Sequence, residues 1–193
     1  MGVGEAEIDA FIAHQKGLSG DHAVANRAMV AALCRRRDLP LASHDDATLD
    51  HIEEARAFGA TLAEFPTTLE AARAARAHGL RVVAGAPNLV RGGSHSGNVS
   101  VHEIAAVGLV DILSSDYVPT SLVQAAFLLH RDQAIAMPLA DAVATITRTP
   151  ARAVGLEDRG EISPGLAADL VWIRETCDLP LVRGVWRRGQ RIG

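Results

Sequence analysis

The sequence predicts an α/β fold in which parallel strands alternate with helices and a short β-rich segment follows. Three observations carry this. Apolar runs of strand length begin near residues 39, 60, 80 and 110, and a helical pattern with its own boundary signals follows each. The residues with chemical potential sit just after the strand runs, at the carboxyl edge where parallel α/β folds build their sites. After Gly160 the texture changes to short β runs separated by turns.

The elements follow in order. Residues 1–35 read as mostly helical. Leu39 to Ser43 forms the first buried-type run. Asp46 is placed to cap a helix carrying Leu49, Ile52 and Ala55 on one face, and Gly59 to close it. "ATLAEF" (60–65) is the second strand; Thr67 and Glu70 then have capping-box spacing, and Gly79 ends that helix. "LRVVAGA" (80–86) is the third strand, with a glycine-rich loop and a second capping box at Ser100 and Glu103 behind it. "VDILSS" (110–115) is the fourth, with a helix from about Thr120 and another over 138–147. In "TPARAVGL", Thr149 suits an N-cap and Pro150 the first helical position. Three short strands end the chain; they bury little alone and belong to a small β module whose other strands lie elsewhere.

Composition narrows the function classes. With 193 residues, 48% hydrophobic and 22% charged, the chain suits an ordered globular protein. A net charge of −4 gives no drive toward nucleic acid or an anionic membrane. "RRR" (35–37) and "RR" (187–188) read as solvated surface. Cys34 and Cys177 form no CxxC motif, which suits a reducing compartment. The opening "MGVGEAEIDAF" lacks a secretory pattern, and no apolar run is long enough to span a bilayer. The cytoplasm is the expected location.

Four clusters stand out. His44, Asp45 and Asp46 follow the first strand; a neutral imidazole suits zinc or a similar ion, and Asp45 is placed to orient it. Glu64 and Phe65 close the second strand. "NLVRGGSHSGN" brings together Arg91, Gly93, Ser94, His95 and Asn98. Its glycine backbone and the following helix start suggest an anion cradle, with the Arg91 fork suited to phosphate. Asp116 emerges from an apolar strand, where a carboxylate is costly unless it meets a polar site. His14, His22, His51, His78, His102 and His130 fall on helical surfaces and receive no role.

With those residues in hand, the chain resembles the amidohydrolase superfamily. "GEISPGLAADLVWI" is similar to that superfamily's closing segment, where the chain returns to a small β-sandwich beside a (β/α)8 barrel. "ASHDD", "AEFPTTLEAA", "GAPNLVRGGSHSGNVS" and "DILSSDYVPTSL" resemble its phosphonate-operon branch, from about Asn26 onward. The resemblance implies the second half of a barrel, strands five to eight, over residues 1–159 with an N-terminal helix. Residues 160–193 would then be part of the sandwich.

It also implies roles. Those expected are His44 as fifth-strand metal ligand, Glu64 as a possible sixth-strand ligand, and Asp116 as both ligand and acceptor of the water's proton. Arg91, Gly93, Ser94, His95 and Asn98 would hold the substrate. The implied reaction, using a divalent ion such as zinc, converts alpha-D-ribose 1-methylphosphonate 5-triphosphate to the 5-phosphate and pyrophosphate in phosphonate catabolism. The superfamily's HxH pair is missing, and Lys16 has no strand before it. The chain is therefore expected to be a truncated product, a fragment or half of a split enzyme. It should self-associate or need a partner with the N-terminal half, because the inner face of a half-barrel is expected to expose Leu62, Val82 and Ile112. The alternatives are an inactive remnant or interaction subunit, and an amidohydrolase acting on a cyclic amide or nucleobase.

Overall fold

A computed structural model describes residues 4–94, 97–177 and 179–193. The chain divides into two compact units, Met1–Leu39 and Pro40–Gly193. The first is one long helix, α1 (Glu5–Arg36), with Arg35 and Arg36 in its last turn, where the helix dipole favours cations. Among the described residues, no helix is long and apolar enough to cross a membrane.

The second unit contains the expected alternation. Strands β1 (Ala42–His44), β2 (Leu62–Glu64), β3 (Arg81–Gly85) and β4 (Ile112–Ser114) pair in parallel in the order β1-β2-β3-β4. Helices α2 (Leu49–Phe58) and α3 (Leu69–Ala77) make the first two crossovers. The third uses α4 (Ala86–Arg91) and α5 (Val101–Ala106). After β4 come α6 (Ser121–Arg131), α7 (Leu139–Ala144) and α8 (Arg148–Ala153). Four parallel strands in sequence order with helical crossovers form half of a barrel wall.

A separate antiparallel sheet closes the unit, with β5 (Leu170–Arg174), β6 (Leu181–Arg187) and β7 (Gln190–Arg191). A Cβ at Gly184 would fall 2.6 Å from the Trp186 ring, so only glycine leaves the indole its place. Arg131 ties the end of α6 to the end of β5 by donating to Glu175 at 3.0 Å and to the Thr176 carbonyl at 2.6 Å. Residues 160–193 thus share one compact unit with the four-stranded sheet.

Side chains in register on neighbouring strands share a sheet face. Ala63 and Val82 form one such pair, Ala84 and Leu113 another, and all four belong to the main core beneath the helices. That core is built largely from alanine, including Ala71, Ala72 and Ala75 of α3 and Ala125 of α6. Its few large side chains therefore carry much of the packing. Leu129 is 0% exposed, so Leu129→Ala should cost about 2–5 kcal/mol, measurable by urea unfolding.

Several local expectations need correction. Strand alternation puts Val82 on the helix-covered face, not on the inner face of a barrel; Val83 and Ile112 take the opposite side. Those two are only 7% and 5% exposed, so the inner face does not present them openly. Asp46 is not the cap of α2. Thr48 accepts from the His51 N–H, and His51 returns the contact by accepting from Ala47 at 3.1 Å. Asp46 is instead 6% exposed and accepts from the Ser43 hydroxyl, bracing the end of β1. Thr68, not Thr67, caps α3. Helix α8 begins at Arg148, which places Pro150 within its first turn.

Candidate active site

Among the described residues, the sheet's carboxyl edge opens into a cavity of about 320 Å3. His44 and Asp45 reach it from β1, Phe65 and Pro66 from β2, and Asp116 and Tyr117 from beyond β4. Arg91, Ser94 and Asn98 come from the third connection. The chain turns sharply at this rim. Asp45, Phe65 and Asp116 adopt left-handed backbone conformations, with φ of 59°, 54° and 46°. Aspartate tolerates that region, whereas a bulky side chain there is an outlier that costs about 1–3 kcal/mol. Ladder-like hydrogen bonds hold two of these turns. The Asp45 N–H donates to the Glu64 carbonyl at 3.0 Å, and the Phe65 N–H to that of Val83 at 2.9 Å.

The structure brings His44 and Asp45 together. Asp45 Oδ2 lies 3.1 Å from His44 Nδ1. On another side, the Phe65 ring meets the imidazole edge-on, with centroids 5.4 Å apart and planes at 80°. Asp116 faces the same cavity, and its N–H donates to Ser114 Oγ at 3.3 Å.

Arg91 also lines the cavity. Its Nε and Nη2 donate to the Gly93 carbonyl at 3.3 and 3.0 Å, and Nη1 donates to the Tyr117 hydroxyl at 3.4 Å. A guanidinium has five N–H groups, so one on each terminal nitrogen remains beyond these bonds. Gly93 thus shapes Arg91 and is not itself a lining residue. His95 lies outside the described residues.

At the start of α5, three of the N–H groups expected to face an anion are already bonded within the chain. The Ser100 N–H donates to Glu103, the Glu103 N–H to the Ser100 hydroxyl, and the Val101 N–H to Asn88 Oδ1 at 2.9 Å. This is the expected capping box, completed by a side chain from α4. The Ser100 hydroxyl, then its N–H, hold the Glu103 carboxyl below the usual carboxylate range. A depressed carboxyl stabilises the fold above its unfolded-state pKa, and that support is lost as pH falls through the folded value. Ser100→Ala should cost about 1 kcal/mol near neutral pH. In thermal melts, its deficit against the parent chain should shrink on acidification below the usual carboxylate range.

Glu64 pairs in register with His44, which puts both on one sheet face, but Glu64 does not line the cavity. Among the described residues, no three His, Cys, Asp or Glu side chains converge tightly enough to hold a metal ion. His44 and Asp116 offer two suitable donors, whereas zinc centres take three or four from protein. The donor set falls short of a metal centre by itself. Tyr117, Asn88 and Phe65 were not assigned roles from sequence. Their positions one to three residues beyond the strand ends at Ser114, Gly85 and Glu64 were the available signal.

A parallel half-barrel wall with acid, imidazole and guanidinium groups at its carboxyl edge puts the candidate site where (β/α) barrels build theirs. The chain belongs to the amidohydrolase family, whose model matches residues 4–192. It is similar to the alpha-D-ribose 1-methylphosphonate 5-triphosphate diphosphatase of Escherichia coli strain K12, with 48% identity over 188 residues. That match covers 97% of this chain and 50% of the relative, so the chain spans about half the relative's length. An amidohydrolase structure from Thermotoga maritima aligns with TM-score 0.62 and 25% identity, over 80% of this chain and 43% of the other. The ochratoxinase of A. niger shares the fold at TM-score 0.62 and 17% identity, over 86% of this chain and 44% of its own.

Proposed function

We propose that this chain forms the phosphate-facing half of a phosphoanhydride hydrolase site. The substrate would be alpha-D-ribose 1-methylphosphonate 5-triphosphate, and the products the 5-phosphate and pyrophosphate. The observation that carries the reading is the convergence of Asp116, His44 and Arg91 on one cavity, in a chain 48% identical to a diphosphatase of that triphosphate.

The products require water to break the bridge between the α and β phosphoryl groups, with the bridging oxygen leaving on pyrophosphate. Asp116 accepts the proton of the attacking water. The remaining Arg91 N–H groups bind oxygens of the departing pyrophosphate, where negative charge accumulates. Ser94 and Asn98 add neutral polar contacts from the same wall. A divalent ion such as zinc enters this proposal with ligands beyond the described residues, to which His44 and Asp116 would each add one donor. The free thiols Cys34 and Cys177 support a reducing, cytoplasmic setting.

A second reading concerns assembly. Strand β1 ends the sheet on one side, and no strand lies beyond it among the described residues. We propose that further barrel strands dock there, from a second copy or from a partner bearing the other half of the barrel.

Phosphorus NMR tests the reaction class. Appearance of pyrophosphate and the 5-phosphate in equal amounts is expected. Release of orthophosphate alone, or turnover of a cyclic amide with no action on the triphosphate, would reject the proposal.

A further inference from the structure

We propose that Phe65 is a positioning residue that, together with Asp45, fixes the ring plane and tautomer of His44 at the cavity wall. The argument begins with backbone cost. Phe65 takes φ of 54°, a region that bulky residues avoid. It also precedes Pro66, and a residue before proline is pushed toward extended conformations. Two local preferences are thus overridden at one position. Such a conformation persists only where the surroundings impose it, here through the Phe65 N–H bond to Val83 and the burial of Pro66.

Core packing does not account for the residue. The Phe65 side chain is half-buried and is absent from the main hydrophobic core. Its ring instead lies beside Gly85 of the next strand, where a Cβ would come 3.7 Å from Cε1. From that place the ring meets His44 edge-on.

His44 needs such restraint. Its side chain is 56% exposed, and an imidazole so open to solvent would sample several rotamers and both tautomers. Two neighbours constrain it. Asp45 Oδ2 at 3.1 Å from Nδ1 favours the Nδ1–H tautomer, which leaves the lone pair on Nε2. The aromatic ring contributes the second restraint, across the imidazole plane. One neighbour sets which nitrogen carries the proton; the other sets where the ring faces. The inference rests on His44 being a working group of this cavity, as proposed above.

Histidine-selective nitrogen and carbon NMR on the full chain tests it without any need for turnover. The His44 signals are identified by their loss in His44→Gln. In the parent chain, one tautomer with a ring-current displacement is expected. Phe65→Leu should remove the displacement and, by letting the imidazole turn away from Asp45, bring up the second tautomer; Phe65→Tyr should restore both parent features. His44 signals that do not change in Phe65→Leu would overturn the proposal. Should Phe65→Leu fail to fold, the parent chain still decides: a nuclear Overhauser contact between the Phe65 and His44 rings is expected, and its absence overturns the inference. These readouts are independent of activity, so a responsive His44 in a completed barrel assembly that releases no pyrophosphate would reject the proposed reaction and leave the positioning role intact.

Discussion

Replacing Asp116 by Asn is expected to lower pyrophosphate release by roughly 100-fold to 10,000-fold, the range that general acid–base groups supply. The substitution keeps the size of the side chain and removes its ability to take a proton. Its backbone cost is small, because asparagine tolerates the left-handed conformation that Asp116 adopts as readily as aspartate does. An unchanged melting temperature should therefore accompany the loss, which separates chemistry from folding. The comparison is made on whichever assembly shows measurable turnover. A rate within a few-fold of the parent's would remove Asp116 from the proton-accepting role.

Completing the barrel is expected to have an effect of similar size. The isolated chain should hydrolyse the triphosphate orders of magnitude more slowly than a form in which strand β1 has acquired its neighbour. Misplacement of a reacting group by roughly 1 Å can cost about 100-fold, and a mouth lined on one side only leaves the water and phosphate loosely held. The two edges of the sheet differ. At β4, the Leu113 N–H already donates to the Thr145 carbonyl at 3.0 Å, so the end of α7 covers part of that side. At β1, the sheet ends beside His44 itself. A strand docked there would arrive next to the imidazole and is the best-placed source of further metal donors. Light scattering at micromolar concentration, read with pyrophosphate release before and after addition of a chain carrying the E. coli relative's first half, provides the check. A stable monomer with turnover on the order of 10 per second, ordinary for an enzyme, would refute the expectation.

The order and location of the elements were legible in the sequence because their signals are local. Gly59 in the left-handed conformation and the Ser100–Glu103 box mark boundaries within a few residues of chain, and both stand as expected. Errors of a residue or two occurred where adjacent residues compete for one role. Thr67 and Thr68 are chemically equivalent candidates for a cap, and only the tertiary bond from the Thr67 N–H to the Asp46 carbonyl separates them. Val82 was assigned to the wrong face because strand parity depends on register, and a shift of one residue exchanges the faces.

The candidate site was readable in part for the same reason. His44 and Asp116 are set by strand ends and Arg91 by the short helix after β3, and the structure collects them at one mouth. The availability of backbone N–H groups at Ser100 and Val101 was not readable, since it depends on Asn88 reaching across from another helix. Phe65 was visible as a strand-end residue, but its contact with His44 required the spacing between two strands.

The bonds that close off the start of α5 also delimit the segment in front of it. The Gly93 N–H donates to the Asn88 carbonyl, and the Val99 N–H donates to the Thr67 carbonyl, both at 3.0 Å. The segment from Gly93 to Val99 is thus tied to the rest of the unit at both of its ends. Its length and composition can change without disturbing α5, whose first turn is satisfied by Asn88, Ser100 and Glu103. An ancestor of this chain could therefore have exchanged one ligand preference for another by altering a handful of codons, while His44 and Asp116 stayed where the strands hold them.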